Sequence, residues 1–124
     1  MADPQTFEEL TQRGQAIREE VLGSEHIAAA HADRHPGAAV IQEYIEKVGW
    51  GFVWGRDDLS RRDRSMITVA ALAALGHERE LELHVRGALQ NGCTREELYG
   101  IAAQLLPYAG VPAATLLTRA LAGA

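Results

Sequence analysis

The stretch GHERELELHVRG, residues 76–87, carries side chains that could do chemistry on one stripe of a predicted amphipathic helix. That stripe mixes apolar with titratable residues: His77, Glu80, Leu81, His84, Val85 and Ala88. A polar group on a buried helix face costs free energy unless it has a hydrogen-bond or ion-pair partner, so such a group can mark a functional site. The unperturbed pKa of a histidine side chain lies near neutrality, and Glu80 precedes His84 by one turn, so the two could form an acid–base pair. Alternatively, they are a satisfied polar pair without a catalytic role.

The same spacing allows a metal site as an alternative. His77, Glu80 and His84 stand at i, i+3 and i+7, and two histidines with one carboxylate can hold iron or zinc. Positions seven apart are about 10 Å apart along the helix axis, which is too far for one ion unless another element contributes. We therefore expect no metal and keep this site as the competing interpretation.

Composition bounds the class of protein. The chain has 124 residues, 47% of them hydrophobic and 23% charged, which predicts one folded domain over residues 1–124. A net charge of −5 argues against a nucleic-acid partner. No apolar run approaches the roughly 20 residues that span a bilayer. The acidic start MADPQTFEEL lacks a signal peptide's apolar stretch, so we expect a cytoplasmic protein without a membrane partner.

Helical signals occupy nearly the whole chain and predict an all-α fold of about six or seven helices. Thr6–Glu9 and Thr94–Glu97 fit capping boxes, and Ser60 is a candidate N-cap. We expect residues 64–75, apolar nearly all round, to form the most deeply buried helix, ending at Gly76. Another helix should run to about Tyr108, with a last one starting at Pro112.

The segment AAVIQEYIEKVGWGFVW, residues 38–54, predicts a further helix whose glycines weaken its end. Its apolar stripe is formed by Ile41, Tyr44, Ile45 and Val48. Trp50, Phe52 and Trp54 cluster near the end of this helix. They form either ordinary core or the apolar wall of a pocket or subunit interface.

Five motifs in order resemble the carboxymuconolactone decarboxylase family, and the likeness runs from about Gly14 to the C-terminus. A sixth segment, REEVLGSEHI, is similar to the N-terminal part of the lactone decarboxylases. The five motifs are W-G-x-x-W-x-R (50–56), R-S-x-I-T-x-A (64–70), E-L-x-L-H-x-R (80–86), N-G-x-T-R-E-E (91–97) and Y-x-G-x-P-A-A (108–114).

The resemblance implies an alkylhydroperoxidase-like helical fold that assembles as trimers or hexamers. It also implies a lyase that removes CO2 from a small carboxylated γ-lactone in aromatic (β-ketoadipate) catabolism, without a cofactor. The thiol-dependent branch of that superfamily has cysteines where this chain has His77 and Glu80, so its thiol chemistry is not expected here.

On this resemblance, His84 delivers a proton to the substrate and Glu80 orients its imidazole. Arg64 and Arg86 are candidates for the substrate carboxylates, because a guanidinium binds a carboxylate bidentately. Either arginine could instead be a solvated or ion-paired surface residue. The resemblance also implies that Trp50, Trp54 and Tyr108 bind the substrate.

Two other functions stay open from the sequence. One is a non-catalytic helical assembly protein of the same family, because a shared fold does not guarantee activity. The other is an enzyme that acts on a different small carboxylated lactone.

Overall fold

A computed structural model describes residues 6–33 and 35–124. These residues form helices and contain no strand, which confirms the predicted all-α class. The chain divides into two compact units, Met1–Asp58 (unit 1) and Leu59–Ala124 (unit 2), and the single domain stays a prediction. The elements are α1 (Phe7–Leu22), α2 (Ser24–Ala32), α3 (Ala38–Tyr44), a π-helical segment (Ile45–Val53), α4 (Arg61–Leu75), α5 (Glu78–Gln90) and α6 (Arg95–Ala122).

Several helix ends are set by local sequence, as predicted. Thr6 accepts a hydrogen bond from the Glu9 amide at 3.1 Å, and the Glu9 carboxylate accepts one from the Thr6 amide at 3.0 Å. Thr94 starts α6 through the same capping box with Glu97. Ser60 caps α4. Because these contacts span three residues, the sequence alone is enough to predict them.

In unit 1, α1 and the π-helical segment meet at two glycines. A Cβ atom on Gly14 would collide with the carbonyl oxygen of Glu46, and one on Gly51 would collide with that of Leu10. The two backbones are therefore in direct contact, and larger residues at either glycine would force them apart.

The apolar stripe predicted for residues 38–54 is only half covered. Ile45 packs against the core of unit 1 and Val48 is partly buried, but the prediction is wrong for the other two members. Ile41 and Tyr44 are 48% and 64% exposed, whereas Glu46 and Trp50 are buried. The chain continues α3 as a π-helix, whose i→i+5 hydrogen bonds change the residues that share a face. The close approach at Gly14 and Gly51 then selects the face that is covered.

Unit 2 has an apolar core built by α4, α5 and α6. Its buried members are Val69, Ala73, Leu81, Val85, Ala88, Cys93, Leu98, Ala102, Ala114, Leu117, Ala120 and Leu121. The prediction that residues 64–75 are the most deeply buried is wrong. The opposite face of α4 leaves Ile67 55% and Leu75 69% exposed, because only one side of this helix packs within unit 2.

The last helix is two helices joined at a kink. Gly110 has φ 87° and ψ 175°, a conformation that other residues rarely adopt, and the chain resumes its helix around Pro112. The predicted break between Tyr108 and Pro112 is thus confirmed.

The expectation that no segment is long and apolar enough for a bilayer needs correction, because α6 meets the length and composition for a span. Core helices of soluble proteins do so too. Leu98, Leu117 and Leu121 of α6 are fully buried within unit 2, so this helix supplies much of that unit's core.

Candidate active site

Arg64 lies in the first turn of α4 and is only 8% exposed. Ser60 fixes this turn by accepting a hydrogen bond from the Asp63 amide at 3.1 Å. Thr68 adds a hydrogen bond from its hydroxyl to the Arg64 carbonyl oxygen at 2.7 Å. The interpretation of Arg64 as a solvated helix start is therefore wrong. A buried guanidinium at a helix start can bind an anionic group where water competes weakly.

His84 lies at the edge of the buried stripe of α5. Leu81 and Val85 are fully buried, and His84 is half-buried with its Nδ1 atom shielded from solvent. Three residues turn a helix by about 300°, so His84 stands about 60° from Leu81. This edge position leaves part of the imidazole accessible to a small molecule while the rest is held by packing.

Glu80 is exposed, which corrects the prediction that it shares the buried stripe. It precedes Leu81 by one residue and so points about 100° away from the centre of the buried face. It still lies on the same side of α5 as His84, at the i,i+4 spacing at which helix side chains meet. Its predicted role in orienting the imidazole stays a prediction.

His77 does not belong to the buried stripe either. It is the N-cap of α5, with φ −83° and ψ 79°, and is exposed. Because the helix begins only at Glu78, helical spacing does not apply to His77. Among residues 6–33 and 35–124, no group of three or more His, Cys, Asp or Glu side chains is placed to hold a metal ion. The alternative metal site at His77, Glu80 and His84 is therefore not assembled within the described chain.

Arg86 and Tyr108 are on the surface of unit 2. Arg86 is exposed on α5, on a different side from His84, as two-residue spacing on a helix requires. Tyr108 is 81% exposed just before the Gly110 kink. Their predicted contacts with substrate remain untested, and within unit 2 Arg64 and His84 are the more enclosed of the predicted residues.

Trp50 and Trp54 lie in unit 1. Their rings are 4.8 Å apart between centroids and tilted by 32°. Trp50 is buried against Ile17 and Val21 of α1, and Trp54 packs on this cluster. Within unit 1 the interpretation as core is confirmed for Trp50 and Trp54 and is wrong for Phe52, which is 56% exposed. The proposed contact of the two tryptophans with substrate is not tested.

Unit 1 also contains a buried polar network that sequence analysis did not predict. Arg18 donates to the Gln42 side chain at 2.7 Å and lies 3.6 Å from the Glu46 carboxylate. Glu46 also accepts from Gln15 at 3.1 Å and contacts His31 at 2.5 Å. Burial lowers the pKa of the Arg18 guanidinium, and the Glu46 charge opposes that shift. The sequence does not predict the Arg18–Glu46 pair, because these two residues are brought together only where α1 crosses the π-helical segment.

A cleft of about 310 Å³ opens in unit 1 beside His31 and His35. The ring of His35 is engaged locally: its Nδ1 accepts from the Gly37 amide at 3.1 Å and its Nε2 lies 3.4 Å from the Asp33 carboxylate. His31 contacts Glu46. None of the predicted site residues lines this cleft.

Comparison with known proteins shows the family of the chain, which the geometry of the candidate site does not decide. The model of the carboxymuconolactone decarboxylase family matches residues 39–123. The chain belongs to this family. The matched region contains every predicted site residue, from Trp50 to Tyr108.

Two curated relatives agree with this family. The 4-carboxymuconolactone decarboxylase of Acinetobacter baylyi is 38% identical over 106 residues, covering 86% of this chain and 79% of the relative. The nitrosuccinic acid decarboxylase of Metarhizium robertsii is 35% identical over 116 residues, covering 90% and 81%. Both relatives are carboxy-lyases, so the predicted family and enzyme class are confirmed.

Proposed function

We propose that this protein removes CO2 from a small γ-lactone bearing a ring carboxylate, with 4-carboxymuconolactone as the first substrate to test. The observation that carries the proposal is the buried Arg64, in a family whose members here are both named for acids that lose CO2. A buried guanidinium suits such substrates because it pairs with a carboxylate more strongly there than in bulk water.

The chemistry uses an electron acceptor within the substrate itself. The leaving carboxylate is on a carbon conjugated, through the ring double bond, to the lactone carbonyl. When its C–C bond breaks, CO2 departs and the electron pair moves through the double bond to the carbonyl oxygen, giving a dienolate. A proton is then added to carbon, and the enol-lactone results. The protein must hold the anion, stabilise the developing oxyanion and deliver one proton.

Arg64 is proposed to bind a substrate carboxylate and His84 to deliver the proton. His84 suits this role because it is half-buried at the edge of the apolar face, and histidine is the side chain that most often serves as a general acid or base. A donor aimed at the developing oxyanion contributes roughly 3–4 kcal/mol, and a positioned acid contributes about 10²- to 10⁴-fold. Glu80 would orient the imidazole from the preceding turn, and Arg86, Trp50, Trp54 and Tyr108 remain proposed contacts of secondary importance.

The nitrosuccinic acid decarboxylase suggests a second substrate class. A nitro group, like a conjugated lactone carbonyl, can accept the electron pair that CO2 leaves behind. Arg64 would serve either class, because both substrates carry more than one carboxylate.

CO2 release measures this function directly. The protein is incubated with 4-carboxymuconolactone, generated in place, or with nitrosuccinate, and CO2 is compared with a protein-free blank and with Arg64→Ala. We expect release with at least one substrate and a large loss in the variant. A folded protein that releases no CO2 above the blank from either substrate would favour the non-catalytic assembly role.

We also propose that the chain is a homo-oligomer, a trimer or hexamer, located in the cytoplasm without nucleic-acid or membrane partners. Large apolar side chains are exposed on α4 and α6, and exposed apolar residues of this size occur on surfaces that another subunit covers. These residues are Ile67, Leu75, Tyr99, Leu106 and Val111. Light scattering at micromolar concentration should report an oligomer, and Ile67→Glu should weaken it; a wild-type monomer would contradict the proposal.

A further inference from the structure

Side chains from the connection between α5 and α6, and from the start of α6, contact the first residues of α4. The Asn91 side-chain amide donates to the Ser65 hydroxyl at 2.9 Å. The Cys93 thiol lies 3.6 Å from the Arg62 carbonyl oxygen. The Glu97 carboxylate forms an ion pair with the Arg62 guanidinium. Two contacts from this connection and one from the first turn of α6 thus meet Arg62 and Ser65, close to Arg64 in the chain.

The Asn91 side chain makes its hydrogen bond outside α5, the helix that Asn91 caps. As the C-cap residue of α5, it ends that helix through its backbone amide, which donates to the Gly87 carbonyl at 2.9 Å. Its side chain reaches Ser65, 26 positions earlier. The capping of α5 therefore does not explain why the side chain is an amide.

Ser65 is fully buried and directly follows Arg64. A buried hydroxyl needs a hydrogen-bond partner, and Asn91 supplies one. Because Ser65 and Arg64 share a peptide unit, fixing Ser65 also fixes the backbone from which the Arg64 side chain departs. Bidentate recognition of a carboxylate depends on orientation, so a small displacement of this turn would misalign the guanidinium.

We propose that Asn91 is a positioning residue that holds Ser65, and through it the turn carrying Arg64, in the geometry that binds the substrate's carboxylate. The inference rests on the proposed function of Arg64 as the anion-binding group. It extends that function to a residue outside the anion contact, whose effect is exerted entirely through Arg64.

A kinetic double-mutant cycle tests this role. KM and kcat for 4-carboxymuconolactone are measured for the wild type, Asn91→Ala, Arg64→Ala and the double variant. We expect Asn91→Ala to raise KM about tenfold, the scale of one lost hydrogen bond, with little change in kcat. In the Arg64→Ala background the same change should have no further effect on KM, because the group it positions is gone.

Arg95→Ala is the matched control. Arg95 also makes side-chain hydrogen bonds within unit 2, to the carbonyl oxygens of Leu121 at 2.8 Å and Ala124 at 2.6 Å, and none of these involves α4. We expect this variant to lose stability while its KM stays at the wild-type value. An equal rise of KM in Arg95→Ala and Asn91→Ala would show a general loss of stability and overturn the positioning role.

A second readout needs no turnover. Phenylglyoxal modification of Arg64, followed by mass spectrometry, should be slow in the wild type and in Arg95→Ala and several-fold faster in Asn91→Ala. If the lactone is not turned over at all, the proposed function fails while this readout still tests whether Asn91 positions Arg64. If Arg64→Ala leaves KM unchanged, the anion-binding role of Arg64 fails and the inference falls with it. An Asn91→Ala effect on KM of the same size in both backgrounds, or an unchanged modification rate, would overturn the inference alone.

Discussion

Unit 1 and unit 2 each bury an arginine, but the surrounding polar contacts differ. Arg18 in unit 1 pairs with the Glu46 carboxylate and with Gln42, so charge and hydrogen bonds are matched inside one network. In unit 2, Asn91 and Cys93 of the α5–α6 connection contact Ser65 and Arg62, which lie close to Arg64 in the chain. We interpret Arg18 as serving the fold of unit 1, and we propose that Arg64 binds the substrate.

The largest expected effect on stability comes from breaking the pair in unit 1. Glu46→Ala leaves the buried Arg18 without its carboxylate and should lower the free energy of unfolding by about 3–5 kcal/mol. Denaturant titration measures this loss. Replacing both partners by apolar residues, as in Arg18→Met with Glu46→Met, should recover most of it. A Glu46→Ala variant as stable as the wild type would contradict the structural role of this network.

Unit 2 should depend instead on apolar packing. Leu117 is fully buried, and Leu117→Ala should cost about 2–5 kcal/mol of unfolding free energy. Leu106 of the same helix is 47% exposed and provides the matched control. Thermal melting of both variants should show a large shift for Leu117→Ala and a small one for Leu106→Ala. Equal shifts would mean that burial within unit 2 does not determine its stability.

A smaller effect is expected at Cys93. Burial raises the pKa of its thiol, so the folded chain favours the neutral form relative to the unfolded chain. This contribution to stability is present below the ordinary thiol pKa of about 8.5 and is lost as the pH rises through the higher folded value. Iodoacetamide should therefore alkylate Cys93 slowly in the native protein and quickly in denaturant. The corresponding alkaline loss of melting temperature should be absent in Cys93→Ala.

Chelation should have the smallest effect. The proposed reaction places electrons on the substrate's own carbonyl, so exhaustive treatment with a chelator should leave turnover unchanged. Restoration of lost activity by one particular metal would require a site rebuilt around His77.

The helix boundaries could be predicted because their causes are local. The Thr6 and Thr94 capping boxes and the Gly110 break each depend on residues a few positions apart. The covered faces could not be predicted in the same way. The stripe through Ile41 and Tyr44 is exposed because a π-helical segment and a glycine crossing decide which face α1 covers.

The candidate site was predictable to a similar degree. Motif and residue type were enough to nominate Arg64 and His84, whose roles stay predictions. The exposure of Glu80 was not predictable in this way, because it depends on the angular distance of Glu80 from Leu81. The contact between Asn91 and Ser65 could not be predicted, although each residue lies in one of the family motifs. Asn91 and Ser65 are 26 positions apart, and only the packing of α5 beside α4 makes them partners.

Turnover and melting temperature measured together on His84→Ala and Glu80→Gln test the central claim most directly. We predict that His84→Ala lowers turnover of the carboxylated lactone by about 10²-fold or more, the range for a lost acid–base catalyst. Glu80→Gln should lower it less, because the amide retains a hydrogen-bonding group without the charge. Both variants should melt and assemble like the wild type. Wild-type turnover in a well-folded His84→Ala would remove the histidine from the mechanism, and a fall in stability with normal turnover would reduce Glu80 and His84 to a structural pair.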